Sequence, residues 1–195
     1  MRYYHFEIVV FKKENPMFIR KANREEFQSV WDVEAKAFGT EMEAKLVKNL
    51  LNDPTAQPCL SLLAFEKEKA VGHILLTKAV IEGRENDAKC MLLAPMGVVP
   101  EYQKQGIGKT LIRQALETAS QLWVDLVFVL GWPDYYPKMG FKNDALALGF
   151  QTPYPILEKN RNAWMVRELK PGIIRKISGK VVPADSFMNP EYWKE

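Results

Sequence analysis

From Phe27 to Phe38 apolar residues recur at helical spacing, at Phe27, Val30, Trp31, Ala35 and Phe38. Asn23-x-x-Glu26 ahead of them is a capping-box signal, and Gly39 ends the segment. Thr40-x-x-Glu43 opens a second helix with Leu46, Val47, Leu50 and Leu51 on one side, closed by Pro54 and Pro58. The pattern then turns to strands. Leu60 to Phe65 and Ala70 to Ile81 flank the polar turn Glu66-Lys67-Glu68-Lys69, and a further apolar run covers Met91 to Val99. Leu111, Ile112, Ala115, Leu116, Ala119 and Leu122 form one face of a helix over 107–122. Val124 to Leu130 is continuously apolar, as in a strand buried on both faces. A short helix with proline at its start is predicted over Pro133 to Met139, and one more strand over Ala163 to Leu169.

Before these elements, Phe6 to Phe11 reads as a short strand that Lys12 to Pro16 breaks, and Met17 to Arg20 as a fresh first strand. The expected organisation is an N-terminal extension over 1–16, one domain over 17–170 and a tail over 171–195 packing on it. The expected fold is α/β (α+β), a mixed, mostly antiparallel sheet with helices on both faces.

Composition narrows the class. The chain has 195 residues, 47% hydrophobic and 26% charged, with net charge +3. That length suits one domain with a sizeable core. The mild positive excess suits an anionic small ligand and is too dispersed for nucleic acid. Cys59 and Cys90 have no metal-ligand spacing and sit in apolar runs, so buried free thiols and no metal are expected. No apolar run reaches spanning length and no clean signal peptide opens the chain, so a cytoplasmic enzyme without a membrane partner is the expectation.

The chemistry centres on Gln103-Lys104-Gln105-Gly106-Ile107-Gly108-Lys109-Thr110, which joins the Met91–Val99 run to the 107–122 helix. Helix N-termini offer unpaired N–H groups and partial positive charge to a phosphate. Two familiar phosphate loops fail on counting. A P-loop ending in Gly108-Lys109-Thr110 needs glycine where Gln103 stands. A dinucleotide loop starting at Gly106 and Gly108 needs glycine where Leu111 stands. The plain alternative is a glycine-rich turn between a strand and a helix.

What fits is Q-x-x-G-x-G after a strand. This resembles the acetyl-CoA loop of the GNAT superfamily of acyl-CoA N-acyltransferases. Two more landmarks follow in order: Pro95 inside the preceding strand, and Tyr136-Pro137-Lys138-Met139-Gly140-Phe141 after the next one. Proline removes a ladder hydrogen bond and favours a bulge or an edge. Leu130-Gly131-x-Pro133-x-Tyr135-Tyr136, with Gly72-His73-Ile74 upstream, resembles a bacterial branch of predicted acetyltransferases. In that branch segments like Ala163-Trp164-Met165 and Pro171-Gly172 also occur. The similarity covers about residues 17–170.

The resemblance implies acetyl transfer from acetyl-CoA, as co-substrate, to a primary amine of a small molecule or peptide, by direct attack in a ternary complex. It implies pyrophosphate binding by the backbone of Gln103, Lys104, Gln105, Gly106, Ile107, Gly108, Lys109 and Thr110. Met96 would pair with the pantetheine amides and the Val98 N–H would polarise the thioester carbonyl. Tyr136 is the implied general acid, with Tyr135 beside it. Glu34 is the preferred base, ahead of His73 and Glu101. Side chains alone suggest plainer roles: a solvated helix residue for Glu34, a satisfied core histidine for His73, a packed aromatic for Tyr136. Gly131-Trp132-Pro133 stands where many relatives carry asparagine, and Trp132 can stack on CoA, line the acceptor pocket or form a lid. Two other classes stay open: a non-catalytic acyl-CoA-binding regulatory module, and a nucleotide-binding protein using Gly108-Lys109-Thr110. The acceptor is not legible, and whether the Phe187–Trp193 tail swaps onto a partner to make a homodimer is open.

Overall fold

The structure, a computed structural model, describes residues 8–11 and 16–193. Strand β1 is Ile8–Phe11 and β2 is Pro16–Lys21, followed by α1, Phe27–Phe38, and α2, Met42–Asn52. Strands β3 (Leu60–Glu66), β4 (Lys69–Ile81) and β5 (Cys90–Val98) precede α3 (Ile107–Gln121) and β6 (Leu126–Leu130). Short strands β7 (Phe150–Gln151), β8 (Trp164–Glu168) and β9 (Gly179–Pro183) complete the order. The strands hydrogen-bond in the order β1-β2-β3-β4-β5-β6-β8, with β9 paired to β4 and β7. The pairs β1–β2, β2–β3, β4–β9 and β6–β8 are antiparallel; β5–β6 and β7–β9 are parallel. The sheet is mixed and mostly antiparallel.

Contacts divide the chain into two compact units. The first contains residues up to Lys48, Leu60–Leu75 and Pro95–Ala115. Its helical entry follows local rules. Asn23 accepts from the backbone N–H groups of Glu25 and Glu26, while Glu26 reaches back to the Asn23 N–H, the reciprocal capping box. Gly39 closes α1 in the left-handed region. The buried face of α1 differs from the expected stripe: Val30, Val33 and Glu34 are buried, whereas Phe38 is 44% exposed. A helix face is chosen by what packs on it, and here Ala37 and Glu34 lie against Gly97 of β5. On β4, a Cβ at Gly72 would stand 2.9 Å from Leu111 Cδ1 and 3.2 Å from Ile107 Cγ2, so glycine seats the first turns of α3 close to the strand.

The second unit contains Asn49–Cys59, Leu76–Ala94 and everything from Leu116. Its core is aromatic. Phe128 stacks on Trp164 at 5.4 Å and meets Phe150 edge-on at 5.2 Å. Trp193 is 2% exposed and packs 5.8 Å from Trp164, so the tail folds onto its own unit. Asp53 accepts from the N–H and hydroxyl of both Thr55 and Ser186, tying the tail to the segment after α2. Three local expectations change. Leu122 is 51% exposed because α3 ends one residue earlier. Cys59 is only half-buried and precedes β3, while Cys90 is buried within β5. The short helix is a 3-10 turn, Tyr136–Met139, with Pro137 rather than Pro133 near its start. Strand β9 carries too short an apolar run to stand out in the sequence; its register with Ala79–Ile81 supplies the pairing.

Candidate active site

The strand β5 leads into the loop through a single 3-10 turn, Pro100–Tyr102. Val99 N–H bonds the Val71 carbonyl at 3.0 Å, and Tyr102 OH donates to Glu66 at 2.9 Å, fixing this turn on β3 and β4. Lys104 and Gly106 then both adopt positive φ, 59° and 88°. This pair of left-handed residues turns the backbone into α3, whose early bond runs from Thr110 N–H to Gly106 O at 3.0 Å. The N–H groups of the preceding turn have no helical acceptor and are available to an anion. A Cβ at Gly106 would find nothing within 4 Å, so the space over the loop is open.

The predicted loop residues differ in exposure. Gln103, Lys104, Gln105, Gly106 and Lys109 are exposed, Thr110 is half-buried, and Ile107 and Gly108 are buried. The Gln103 amide donates to Val98 O at 2.9 Å, so this side chain braces the loop against the end of β5. Met96 and Val98 are half-buried, and Pro95 and Gly97 between and before them are buried. The parallel register of β5 with β6 covers Cys90–Leu92 against Leu126–Phe128, and Pro95 stands three residues beyond it.

The same unit holds the three candidate bases. Glu34 is not solvated: it is fully buried, as is His73. The structure joins them, with His73 Nδ1 2.5 Å from Glu34 Oε1 and His73 Nε2 2.9 Å from Ser61 Oγ. Burial pushes the Glu34 carboxyl above the ordinary carboxylate range; the His73 hydrogen bond and charge oppose this, and Glu43 on α2 adds to it. Glu34 Oε2 is buried and has no hydrogen-bond partner among the described residues. It faces Gly97, where a Cβ would stand 2.9 Å away. Glu101 is exposed and makes no part of this cluster. Sequence reasoning missed Ser61 and Gly97. A glycine inside a strand was a usable signal for the latter.

Tyr136 lies in the second unit and is 8% exposed. Its ring packs against Gly131, where a Cβ would meet Tyr136 Cε2 at 2.6 Å. Tyr135 and Phe141 hold it edge-on at 5.4 and 5.6 Å. Glycine at 131 is thus what lets this ring sit against the end of β6. Burial raises the Tyr135 phenol above its ordinary value. Trp132 is 78% exposed and lines a shallow groove with Pro133, Asp134, Tyr135 and Lys138. Among the described residues no helix is long and apolar enough to cross a membrane.

Comparison with known proteins gives consistent results. Residues 18–143 match the model of an acetyltransferase (GNAT) domain. The chain is 43% identical to the uncharacterized N-acetyltransferase YjhQ of Escherichia coli K12 over 147 residues, 75% of this chain and 81% of that protein. Its fold superposes with TM-score 0.82 on the E. coli GNAT family N-acetyltransferase YhbS solved with CoA, at 21% identity, covering 92% and 96% of the two chains. A Brucella melitensis GNAT family acetyltransferase solved with acetyl-CoA gives TM-score 0.70 at 26% identity, covering 88% and 97%.

Proposed function

The chain belongs to the GNAT acetyltransferase family, and from this we propose that it moves the acetyl group of acetyl-CoA to a primary amine of a small molecule or peptide, by direct attack in a ternary complex. The observation that carries this reading is the loop: left-handed residues at Lys104 and Gly106 on either side of Gln105, open space above Gly106, and a helix start immediately behind. A pyrophosphate fits such a cradle because backbone N–H groups converge there at no side-chain cost. Acetyl-CoA bound there supplies an activated thioester.

Met96 offers its backbone to the pantetheine amides as an added strand would. Val98 offers an N–H to the thioester oxygen, and one oriented donor of this kind contributes about 3 kcal/mol as charge develops. Gln103 keeps Val98 in place through its carbonyl. Glu34 Oε2 takes a proton from the incoming ammonium, and Tyr136 gives one to the departing thiolate. The balance is one amine N–C bond formed, one C–S bond broken, and one proton released per turnover. The enclosing aromatic contacts hold the Tyr136 ring in one orientation.

The test is CoA release measured with a thiol reagent over a panel of polyamines, amino acids and peptides with free N-termini. Turnover on at least one amine is expected, with Tyr136→Phe lowering kcat about 100-fold while the Kd for acetyl-CoA is kept. Tight acetyl-CoA binding with no turnover on any amine would favour a regulatory binding module instead.

A further inference from the structure

Three elements meet at one hydrogen-bonded chain inside the first unit. Glu34 comes from α1, His73 from β4 and Ser61 from β3. Their exposures are 0%, 0% and 7%. A buried polar cluster this complete costs stability to desolvate, so each member needs a partner. One atom breaks the rule: Glu34 Oε2 has no partner among the described residues, and it faces the β5 backbone at Gly97. Met96 and Val98 flank that glycine.

The two carboxylate oxygens therefore have different fates. Oε1 is occupied by the imidazole, and the imidazole is occupied on its far side by the Ser61 hydroxyl. Oε2 is left over, at the one place on β5 where no side chain covers it. Resting on the functional reading above, we propose that His73, braced by Ser61, is a positioning residue that pins Glu34 Oε1 and so directs Oε2 at Gly97 as the proton acceptor for the substrate amine. His73 itself does not touch substrate in this scheme, and the missing side chain at Gly97 is what lets the carboxylate lie against the β5 backbone.

The arrangement has a consequence for acidity. Burial raises the Glu34 carboxyl, and His73 is the group that opposes this. The charged or titratable groups facing Glu34 are His73 from β4 and Glu43 from α2; β5 presents Gly97 and Ala37 is its apolar neighbour on α1. Removing the imidazole leaves burial and Glu43, both acting in the same upward direction. A base must be deprotonated to work, so activity is lost as pH falls through the Glu34 value. Loss of His73 should move that acidic limb to higher pH.

The experiment compares Glu34→Gln, His73→Leu, His73→Asn and Ser61→Ala with the parent protein. The acidic limb of kcat/KM is read with the amine from the panel that turns over fastest. The Glu34 midpoint is read independently, without any substrate and in every variant that keeps Glu34, from the side-chain carboxyl 13C signal that Glu34→Gln removes. Expected are loss of the limb in Glu34→Gln and a rise of its midpoint by about one unit or more in His73→Leu. A partial return in His73→Asn, whose amide can donate to Oε1, and a smaller rise in Ser61→Ala are also expected. A network that only holds the fold would lower Tm in all four and leave the limb where it is. If Glu34→Gln keeps the acidic limb, the base assignment itself falls. If Glu34→Gln removes the limb but His73→Leu and Ser61→Ala leave both midpoints unmoved, the positioning role is overturned and the base assignment survives.

Discussion

At the scale of single residues, conformation and contact carry more than residue type. Gly106 is required by its φ of 88° and not by crowding, because nothing lies within 4 Å of where a Cβ would be. Valine there costs about 1–2 kcal/mol of backbone strain and places methyl groups in the open space over the loop. Gly106→Val should therefore keep the fold, seen as an unchanged circular dichroism spectrum with a modestly lower Tm. Its affinity for acetyl-CoA by calorimetry should fall at least tenfold. Unchanged affinity would remove the loop from the site. Gly97 is the opposite case. A side chain there would meet Ala37 Cβ at 2.8 Å and Glu34 Oε2 at 2.9 Å, so the residue is small because α1 comes close.

At the scale of elements, edges and clasps set local stability. Strand β1 pairs with β2 from Ile8↔Ile19 to Phe11↔Pro16. A boundary at Met17 cuts this ladder. Removing residues 1–16 should lower the urea midpoint, because β2 becomes an edge, and leave kcat unchanged, because no proposed site residue lies there. The Asp53 clasp gives a signed pH prediction. Burial alone would raise its carboxyl, but four hydrogen bonds from Thr55 and Ser186 hold it down at about 2, against 3.8 ordinarily. A depressed carboxylate stabilises the fold above its unfolded value, and that contribution is lost as pH falls from about 4 towards 2. Asp53→Asn should flatten the loss of stability over this window in chemical denaturation. Glu34 has the reverse sign. Its raised carboxyl favours the folded chain at low pH, and this is lost as pH rises through the folded value.

For the whole molecule, the C-terminal segment is part of the core of its unit. Trp193 Nε1 donates to Phe187 O at 3.0 Å while its ring meets Trp164. Trp193→Ala should cost about 3–5 kcal/mol of unfolding free energy, measured by denaturant titration, with the acetyl-CoA Kd little changed. The tail's own packing also removes the need for a partner to cover Trp193.

The order of elements and the glycine turn into α3 were legible because both are local. Periodicity reports which residues face inward along one element, and glycine spacing reports a backbone shape within eight residues. Asn23–Glu26 and Gly39 act within a turn, so their caps were readable too. The base region was not legible in the same way. Glu34 looks like a solvated helix residue until β4 places His73 beside it, 39 residues away in the chain, and β3 places Ser61 on the far side of that imidazole. The edge pairing of β9 and the seat of Tyr136 over Gly131 also arise from contacts distant in sequence. The sequence by itself determined the fold class and the strand–loop–helix join at 103–110. Only the tertiary structure decided which carboxylate is buried, what holds it and which of its oxygens is left free, because burial depends on neighbours from other elements.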